Sequence, residues 1–362
     1  MKNNEPLIRI TKRTNTSFKS AVLVRAVAII LALIVCGIVT KLFTSDDPIS
    51  IFKTVFHGAF GKGRMLVTIH DVALLLCVSL AVTPAFKMKF WNIGAEGQVL
   101  MGALSTAMCM FYLGGKIPDA LLILIMIFFS IVTACVWAII PAFFKAQWGT
   151  NETLFTLMMN YVAIQLIEYF LKVADKSGSN VVGPDLLSHG WFPQLFHTDY
   201  LLNISVVIII TIVLHIYLRQ SKHGYELSVV GESENTARYI GINVKKVIIR
   251  TMALSGAICG IAGLLLVGGS SHSVDPNIAG GRGFTAIMVS WLAKFNPIYM
   301  ILTSLLLVFL ARGADEVSSK FGLNADFSQI LTGIILFFII GCEFFINYQV
   351  HFRSKKTAKE DK

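Results

Sequence analysis

Phe90-Trp91-Asn92-Ile93-Gly94-Ala95-Glu96-Gly97-Gln98 lies after one long apolar segment and runs directly into another, residues 99–113. It puts a carboxylate and two amides where a membrane-crossing helix would be starting. Ionisable groups at membrane depth are costly, so a segment carrying one there faces protein, water or a solute path instead of lipid. The glycines matter as much as the charge. Gly94 and Gly97 each weaken a helix by up to ~1 kcal/mol relative to alanine, while letting another backbone come close. The apolar run after Gln98 covers 15 residues, about 22 Å at 1.5 Å per residue, so residues 92–98 must supply the remaining depth of a span. Two readings follow. Glu96 could sit at the inner interface, favouring the positive end of a helix dipole. Alternatively the helix is discontinuous, and its freed backbone and side chains line a path or hold a neighbouring helix. The second reading makes Asn92, Glu96 and Gln98 path or broken-helix candidates, with Glu96 a hydrogen-bonding hub and no catalytic acid. In a continuous helix Asn92 and Glu96 would share a face and Gln98 would point elsewhere.

The composition around this stretch is that of an integral membrane protein. Of 362 residues 55% are hydrophobic and 14% charged, with a mean hydropathy of +0.70, far from the balance of a soluble domain. Residues 21–43, 66–86, 121–144, 200–218, 247–270 and 326–347 each supply the roughly 20 apolar residues needed to cross about 30 Å of hydrocarbon. Four weaker segments, 91–113, 152–171, 283–294 and 297–312, bring the expected number to ten. Runs such as residues 206–213 are apolar on every face, which fits helices and not the in/out alternation of barrel strands. The expected fold is all-α: a polytopic membrane protein of about ten transmembrane or half-spanning helices. Residues 1–20 would be a cytosolic arm, 21–347 the transmembrane domain and 348–362 a cytosolic basic tail.

With the N-terminus in the cytosol, the inside loops carry 18 Lys and Arg and the outside loops 8, which supports two cytosolic termini and an even number of crossings. The basic leader precedes about 23 apolar residues with no small-residue cleavage pattern, so it reads as a retained first helix. The net charge of +10 sits mainly on cytosolic loops and tails, where it serves orientation and contact with anionic lipid, and implies no nucleic-acid partner. Cys36, Cys77, Cys109, Cys135, Cys259 and Cys342 all fall inside expected spans without CxxC spacing. They read as packing residues, not disulfides or metal ligands.

Further along, Thr150 or Asn151 can cap segment 152–171, with Glu152 as its first-turn acid. Asn160 lies about two turns deeper, where an amide facing lipid would be unfavourable; a helix contact and a pore-lining position both remain open. Residues 51–60 have the spacing of a short interfacial helix. In the inside loop 219–246, residues 233–240 read as a short helix capped by Ser233 and stopped at Gly241, a natural docking element between two spans. Gly256, Gly260 and Gly263 form a small-residue face suited to close helix packing. Segment 283–294 has only about 12 residues, roughly 18 Å, and reads as a half-helix introduced by Gly281, Gly283 and Phe284. The third and eighth segments are thus both glycine-introduced and compromised, five positions apart. A 5+5 arrangement with an odd number of spans per half is an inverted repeat, and paired broken elements point to a central site. No Gly-x4-Gly-Lys-Ser/Thr loop, HExxH, Cys/His cluster or Gly-x-Ser-x-Gly elbow occurs, so neither catalytic nor metal-binding residues are expected.

Three motifs in order carry a family resemblance. Residues 90–98 resemble the FNIGAEGQ signature of permease subunits of ABC importers in the ribose and branched-chain amino acid group, nearest the nucleoside and simple-sugar branch. Asn151-Glu152 with Thr156-Leu157-Met158-Met159-Asn160-Tyr161 resembles its NE…TLMLNY element. Gly281-Arg282-Gly283-Phe284-Thr285-Ala286-Ile287, with Leu292-Ala293-Lys294-Phe295-Asn296-Pro297, resembles its GxGFxxIAVALLGxxxP element. The likeness runs from about residue 66 to 347, and departs from the pattern at Trp91, inserted between Phe90 and Asn92. The resemblance implies a multi-pass cell-membrane permease domain paired with a second permease, identical or similar. Two cytosolic ATPases and an extracytoplasmic solute-binding lipoprotein would complete the importer. ATP would be bound by the partner subunits, leaving this chain without a cofactor. Loop 219–246 becomes the coupling loop, with Ser233, Glu234, Thr236, Ala237, Arg238, Tyr239, Ile240 and Gly241 as ATPase-docking residues. The implied solute is a nucleoside or a related sugar-containing molecule, with free sugars and riboflavin as alternatives. A rival from another class is a proton-coupled secondary transporter with Glu96 as its relay.

Overall fold

The computed structural model describes residues 8–13, 18–43, 48–175, 178–195, 198, 200–323 and 325–352. In chain order the elements are β1 (Ile8–Lys12), α1 (Phe18–Phe43), α2 (Pro48–Phe60), α3 (Met65–Lys87), α4 (Ala95–Leu113), α5 (Asp119–Trp148) and α6 (Glu152–Ala174). They continue with α7 (Leu201–Gln220), α8 (Lys222–Glu232), α9 (Glu234–Tyr239), α10 (Val244–Leu266), a π-helical turn (Val267–Ser271), α11 (Arg282–Leu292), α12 (Pro297–Lys320), α13 (Ala325–Asn347) and β2 (Tyr348–Phe352). Among the described residues eight helices are long and apolar enough to cross a membrane: α1, α3, α5, α6, α7, α10 with its π turn, α12 and α13. Two of the segments that look weak in sequence become full spans, because α6 and α12 continue through polar residues to 23 and 24 residues. The two that fall short are the glycine-introduced pair, α4 with 19 residues and α11 with 11.

Met65–Val308 packs as one compact unit, and Met1–Arg64 with Phe309–Lys362 as a second. In the first, α10 is the central helix, packed against α3, α4 and α5. Its small residues permit this: a methyl group at Gly256, Gly260 or Gly263 would meet backbone of Ala134, Ser130 and Val99 respectively. The six cysteines are free, and all but the half-buried Cys135 are buried.

In the second unit α1 packs on α13, joined by an Arg25–Glu343 ion pair. α2, the interfacial helix expected from residues 51–60, lies on the second half of α12. Gly58 fits against Arg312 and Glu316, and Arg64 pairs with Glu316. The N-terminal arm is not wholly unstructured, because β1 pairs antiparallel with β2 in the register Ile8↔Phe352 to Lys12↔Tyr348. Both five-residue stretches alternate apolar and polar residues, the period of a strand. This pairing brings the two ends of the described chain side by side. Residues 1–7 and 14–17 of the arm and 353–362 of the tail lie outside the described residues.

A candidate broken-helix site and a candidate docking helix

The opening stretch is not helical. After α3 ends, residues 90–93 are irregular, and α4 begins at Ala95 with Gly94 as its N-cap. The free backbone of this entry is met by side chains of α6 and of the entry itself. From α6, Thr156 Oγ1 accepts from Ile93 N–H (3.2 Å), Asn160 Nδ2 donates to Ile93 O (3.0 Å), and Asn160 Oδ1 accepts from Gly97 N–H (2.8 Å). Within the entry, Asn92 is fully buried. Its Oδ1 accepts from Gly94 N–H (3.0 Å) and Gln98 Nε2 (3.3 Å), while its Nδ2 donates to Ser255 Oγ of α10 (3.3 Å). Ser255 Oγ donates on to Gln98 Oε1 (3.5 Å), closing a triad. These polar groups, exposed by breaking the helix, thus find partners, as burial away from water requires.

Asn160 is eight residues into α6 and Ser255 eleven into α10, so the junction lies about 12–16 Å along each helix. Here the two interrupted helices meet. Glu96, 9% exposed, accepts from Gly281 N–H at 2.8 Å through Oε1 and from Gly283 N–H at 2.6 Å through Oε2. Those are N-terminal amides of α11, which no helix satisfies internally. The carboxylate of α4 therefore caps α11 from outside, and its charge opposes the positive ends of both helices. The fit depends on glycine: a methyl at Gly283 would land on the Glu96 backbone, and Gly281 adopts φ 71°. Glu96 thus holds the neighbouring helix start from within the buried interior of the unit.

Asn92, Glu96, Gln98, Asn160, Gly281 and Gly283 are brought together. Asn151 and Glu152 are not: Asn151 Oδ1 caps α6 by accepting from Leu154 N–H (3.1 Å), and Glu152 pairs with Lys145 of α5 (2.8 Å). Phe284 is exposed, one residue beyond the glycine that meets Glu96. The inserted Trp91 packs its ring against Phe86 and Trp291, with centroids 5.8 and 5.7 Å away, and leaves Asn92 buried.

Several residues of the junction are not among those singled out in the sequence. Thr156 sits one turn before Asn160 on the same helix face, a spacing that could have named it. Arg282, beside the capped amides, reaches Asp71 of α3 (3.5 Å). An ionisable residue inside the apolar run 66–86 was itself a signal. Toward the end of α7 away from α8, Asn203 Nδ2 donates to His70 Nε2 (3.0 Å) and Leu265 O (3.2 Å). Beyond it Trp191 stacks on His272 (4.2 Å between centroids) in the wall of a cavity of about 350 Å³ that also includes Tyr200 and Ser270.

At the other end of α7, α9 forms as its sequence indicates. Ser233 Oγ accepts from Thr236 N–H (3.3 Å), Glu234 and Arg238 pair one turn apart (3.2 Å), and Gly241 turns the chain at φ 85°. Ala237 alone of the helix is buried, while Tyr239 is 92% exposed and Ile240 follows it outward. α8 anchors this element: a methyl at Gly231 would meet Lys87 O, at the end of α3. His223 of α8 joins Tyr217 Oη (2.6 Å) of α7 and Thr251 Oγ1 (3.2 Å) of α10. Burial, followed by the nearby Arg250 charge, holds its imidazole below the ordinary histidine value.

Residues 65–340 match a family model described as "Branched-chain amino acid transport system / permease component". The chain is 28% identical to the glucose ABC transporter permease of Haloferax volcanii, over 89% of this chain and 88% of that one. It is 27% identical to the guanosine ABC transporter permease of Bacillus subtilis, over 94% and 98%. With the nucleoside ABC transporter permease of Lactococcus lactis subsp. cremoris it shares 25% identity over 88% and 90%.

Proposed function

The chain belongs to the branched-chain amino acid transport system permease family, a multi-pass membrane permease subunit of an importer, and from that premise we propose that its solute is a nucleoside or a related sugar-containing molecule. The relatives are named for guanosine, nucleosides and glucose, which favours a neutral solute bearing a sugar or sugar-like ring. Partnership with ATPase and substrate-binding components follows from the family. The finer reading is two cytosolic ATPases, a second permease and an extracytoplasmic lipoprotein, with both termini of this chain cytosolic and ATP bound by the partners.

The observation that carries the docking role is α9. It is a capped helix that buries only Ala237 and presents Tyr239 and Ile240 outward. Its neighbour α8 touches Lys87 O through Gly231, three residues before the broken entry begins at Phe90. A push on α9 therefore has a short, rigid route to the α4–α11 junction. Both Glu96 oxygens already accept backbone amides, which supports a structural anion over a proton relay.

Co-purification tests the docking reading. Tyr239→Glu should leave expression and thermal stability unchanged while abolishing recovery of the ATPase with the permease. Full recovery would remove α9 from the interface. Ala237 is not an equivalent test site, since its burial means that a charged replacement disrupts α9 itself.

A further inference from the structure

α3 and α11 end in the same way, and neither end carries the residue its backbone favours. After α3, Lys89 N–H donates to Phe86 O (2.9 Å) and Phe90 N–H to Ala85 O (2.9 Å). After α11, Lys294 N–H donates to Trp291 O (3.0 Å) and Phe295 N–H to Ser290 O (2.9 Å). This closure puts the residue that follows the helix in the left-handed region, where glycine is usual. Lysine stands there twice, Lys89 at φ 61° and Lys294 at φ 50°, and a side chain at such a φ is strained. A cation complements a helix C-terminus, but the last turn can hold one without that strain, as Lys87 does in α3. Orientation in the membrane asks for basic residues on one face, not for lysines at left-handed positions. What surrounds them is aromatic and open. The rings of Trp91 and Trp291 lie 5.7 Å apart, Phe86 lies 5.8 and 6.5 Å from them, and Phe295 lies 5.8 Å from Trp291. Phe86 is buried, whereas Trp91 is 46% and Trp291 49% exposed. Among the described residues neither indole N–H has an acceptor, and Lys87, Lys89 and Lys294 form no ion pair, even with the exposed Glu232 next to Gly231. The patch lies where a full span ends, since Lys87 closes α3 and its carbonyl meets Gly231 of α8.

We propose that Trp91, Trp291, Lys89 and Lys294, with Lys87 beside them, form a headgroup site for an anionic phospholipid on the membrane face that carries α8 and α9. The lysines neutralise the phosphate, and the two indole N–H groups donate to its ester oxygens. The rings sit at the interfacial depth that tryptophan favours, and juxtamembrane lysines are drawn to anionic lipid there. Cations around an exposed apolar platform suit a phosphate with acyl chains attached, because a soluble anion would leave both indoles in water. Trp91 immediately precedes Asn92, and Trp291 lies in the last turn of α11. Bound lipid therefore braces both of the chain elements that meet at Glu96.

The full chain in nanodiscs tests the site with no transport measurement. Phosphatidylglycerol brominated near the headgroup end of its chains should quench the fluorescence that Trp91 and Trp291 contribute, obtained by difference from W91F/W291F. It should do so at severalfold lower mole fraction than brominated phosphatidylcholine. Unbrominated phosphatidylglycerol, at about tenfold its Kd, should raise the melting temperature followed by circular dichroism by about 3 °C over phosphatidylcholine alone. Lys89→Gly and Lys294→Gly separate binding from structure. Glycine suits both backbone positions, so each variant should melt at or above the wild type in phosphatidylcholine, yet lose the preference for phosphatidylglycerol in both readouts. Equal quenching of the wild type by the two lipids would overturn the proposal, as would glycine variants that keep the wild-type preference. Absence of quenching by either lipid would also overturn it, by placing another protein surface, such as a second permease copy, over the patch. Relief of quenching by millimolar glycerol 3-phosphate would overturn it too, by making this a site for soluble phosphate esters.

Discussion

Replacing Glu96 tests the junction on which the transmembrane architecture turns. Glu96→Ala leaves the amides of Gly281 and Gly283, now at 2.8 and 2.6 Å from carboxylate oxygens, without an acceptor in a buried site. Each buried donor left unsatisfied costs about 1–3 kcal/mol, and losing a negative charge at the helix start adds up to about 1 kcal/mol. The sum, roughly 2–7 kcal/mol, is a large part of the ~5–15 kcal/mol that holds a typical domain. Glu96→Gln is not a neutral replacement here. Its carbonyl oxygen can serve one amide, but its NH2 group then faces the other, donor against donor, so about half the loss should remain. Thermal unfolding in detergent should rank wild type above Glu96→Gln above Glu96→Ala, with the last lower by on the order of 10 °C. Hydrogen exchange at the start of α11 should rise in the same order. An Ala variant that melts with the wild type and keeps those amides protected would refute the capping argument. A Gln variant indistinguishable from wild type would show that one acceptor is enough.

Two further outcomes follow from the geometry. Gly283→Ala should be more damaging than Glu96→Gln, because its methyl collides with Glu96 backbone that cannot move aside; expression and melting temperature near wild type would show that α11 can shift. His223 should make the α7–α8–α10 corner acid-sensitive. Thr251 Oγ1 already donates to Val247 O (2.6 Å), so it accepts from His223 Nε2, while Nδ1 accepts from Tyr217, the pattern of a neutral imidazole. Because its folded value is lowered, protonation favours the unfolded chain. The contribution is complete above the ordinary value near 6.5 and is lost as pH falls through the lowered one. The fall in melting temperature between pH 7.5 and 5 should therefore shrink in His223→Gln, and an unchanged fall would exclude His223 as its source.

How much of this was legible in the chain differs from feature to feature, for physical reasons. α9 announces itself because capping and glycine termination are local: Ser233, Glu234 and Gly241 lie within nine residues of one another. The interruptions at residues 92–97 and 281–283 were also visible, since glycines and a carboxylate stand out in an apolar context, although an interfacial helix start could have accounted for the carboxylate. That the two meet was not, because the hydrogen bonds from Gly281 and Gly283 to Glu96 span 185 and 187 residues. Asp71 was visible inside its apolar run, but its partner Arg282 was not. α8 escaped because its sequence carries few apolar residues, and its anchoring to Lys87 depends on a glycine contact that only packing reveals. The β1–β2 pairing joins residues more than 330 apart, with no turn between them to mark a hairpin.

As proposed above, this chain carries solute only when an ATPase is docked on α9. The most direct test of this claim is uptake of radiolabelled guanosine into proteoliposomes containing the permease, its ATPases and the binding lipoprotein. Uptake should require ATP hydrolysis, vanish with Tyr239→Glu and be indifferent to an imposed pH gradient. Accumulation by the permease alone, driven by that gradient, would contradict the claim.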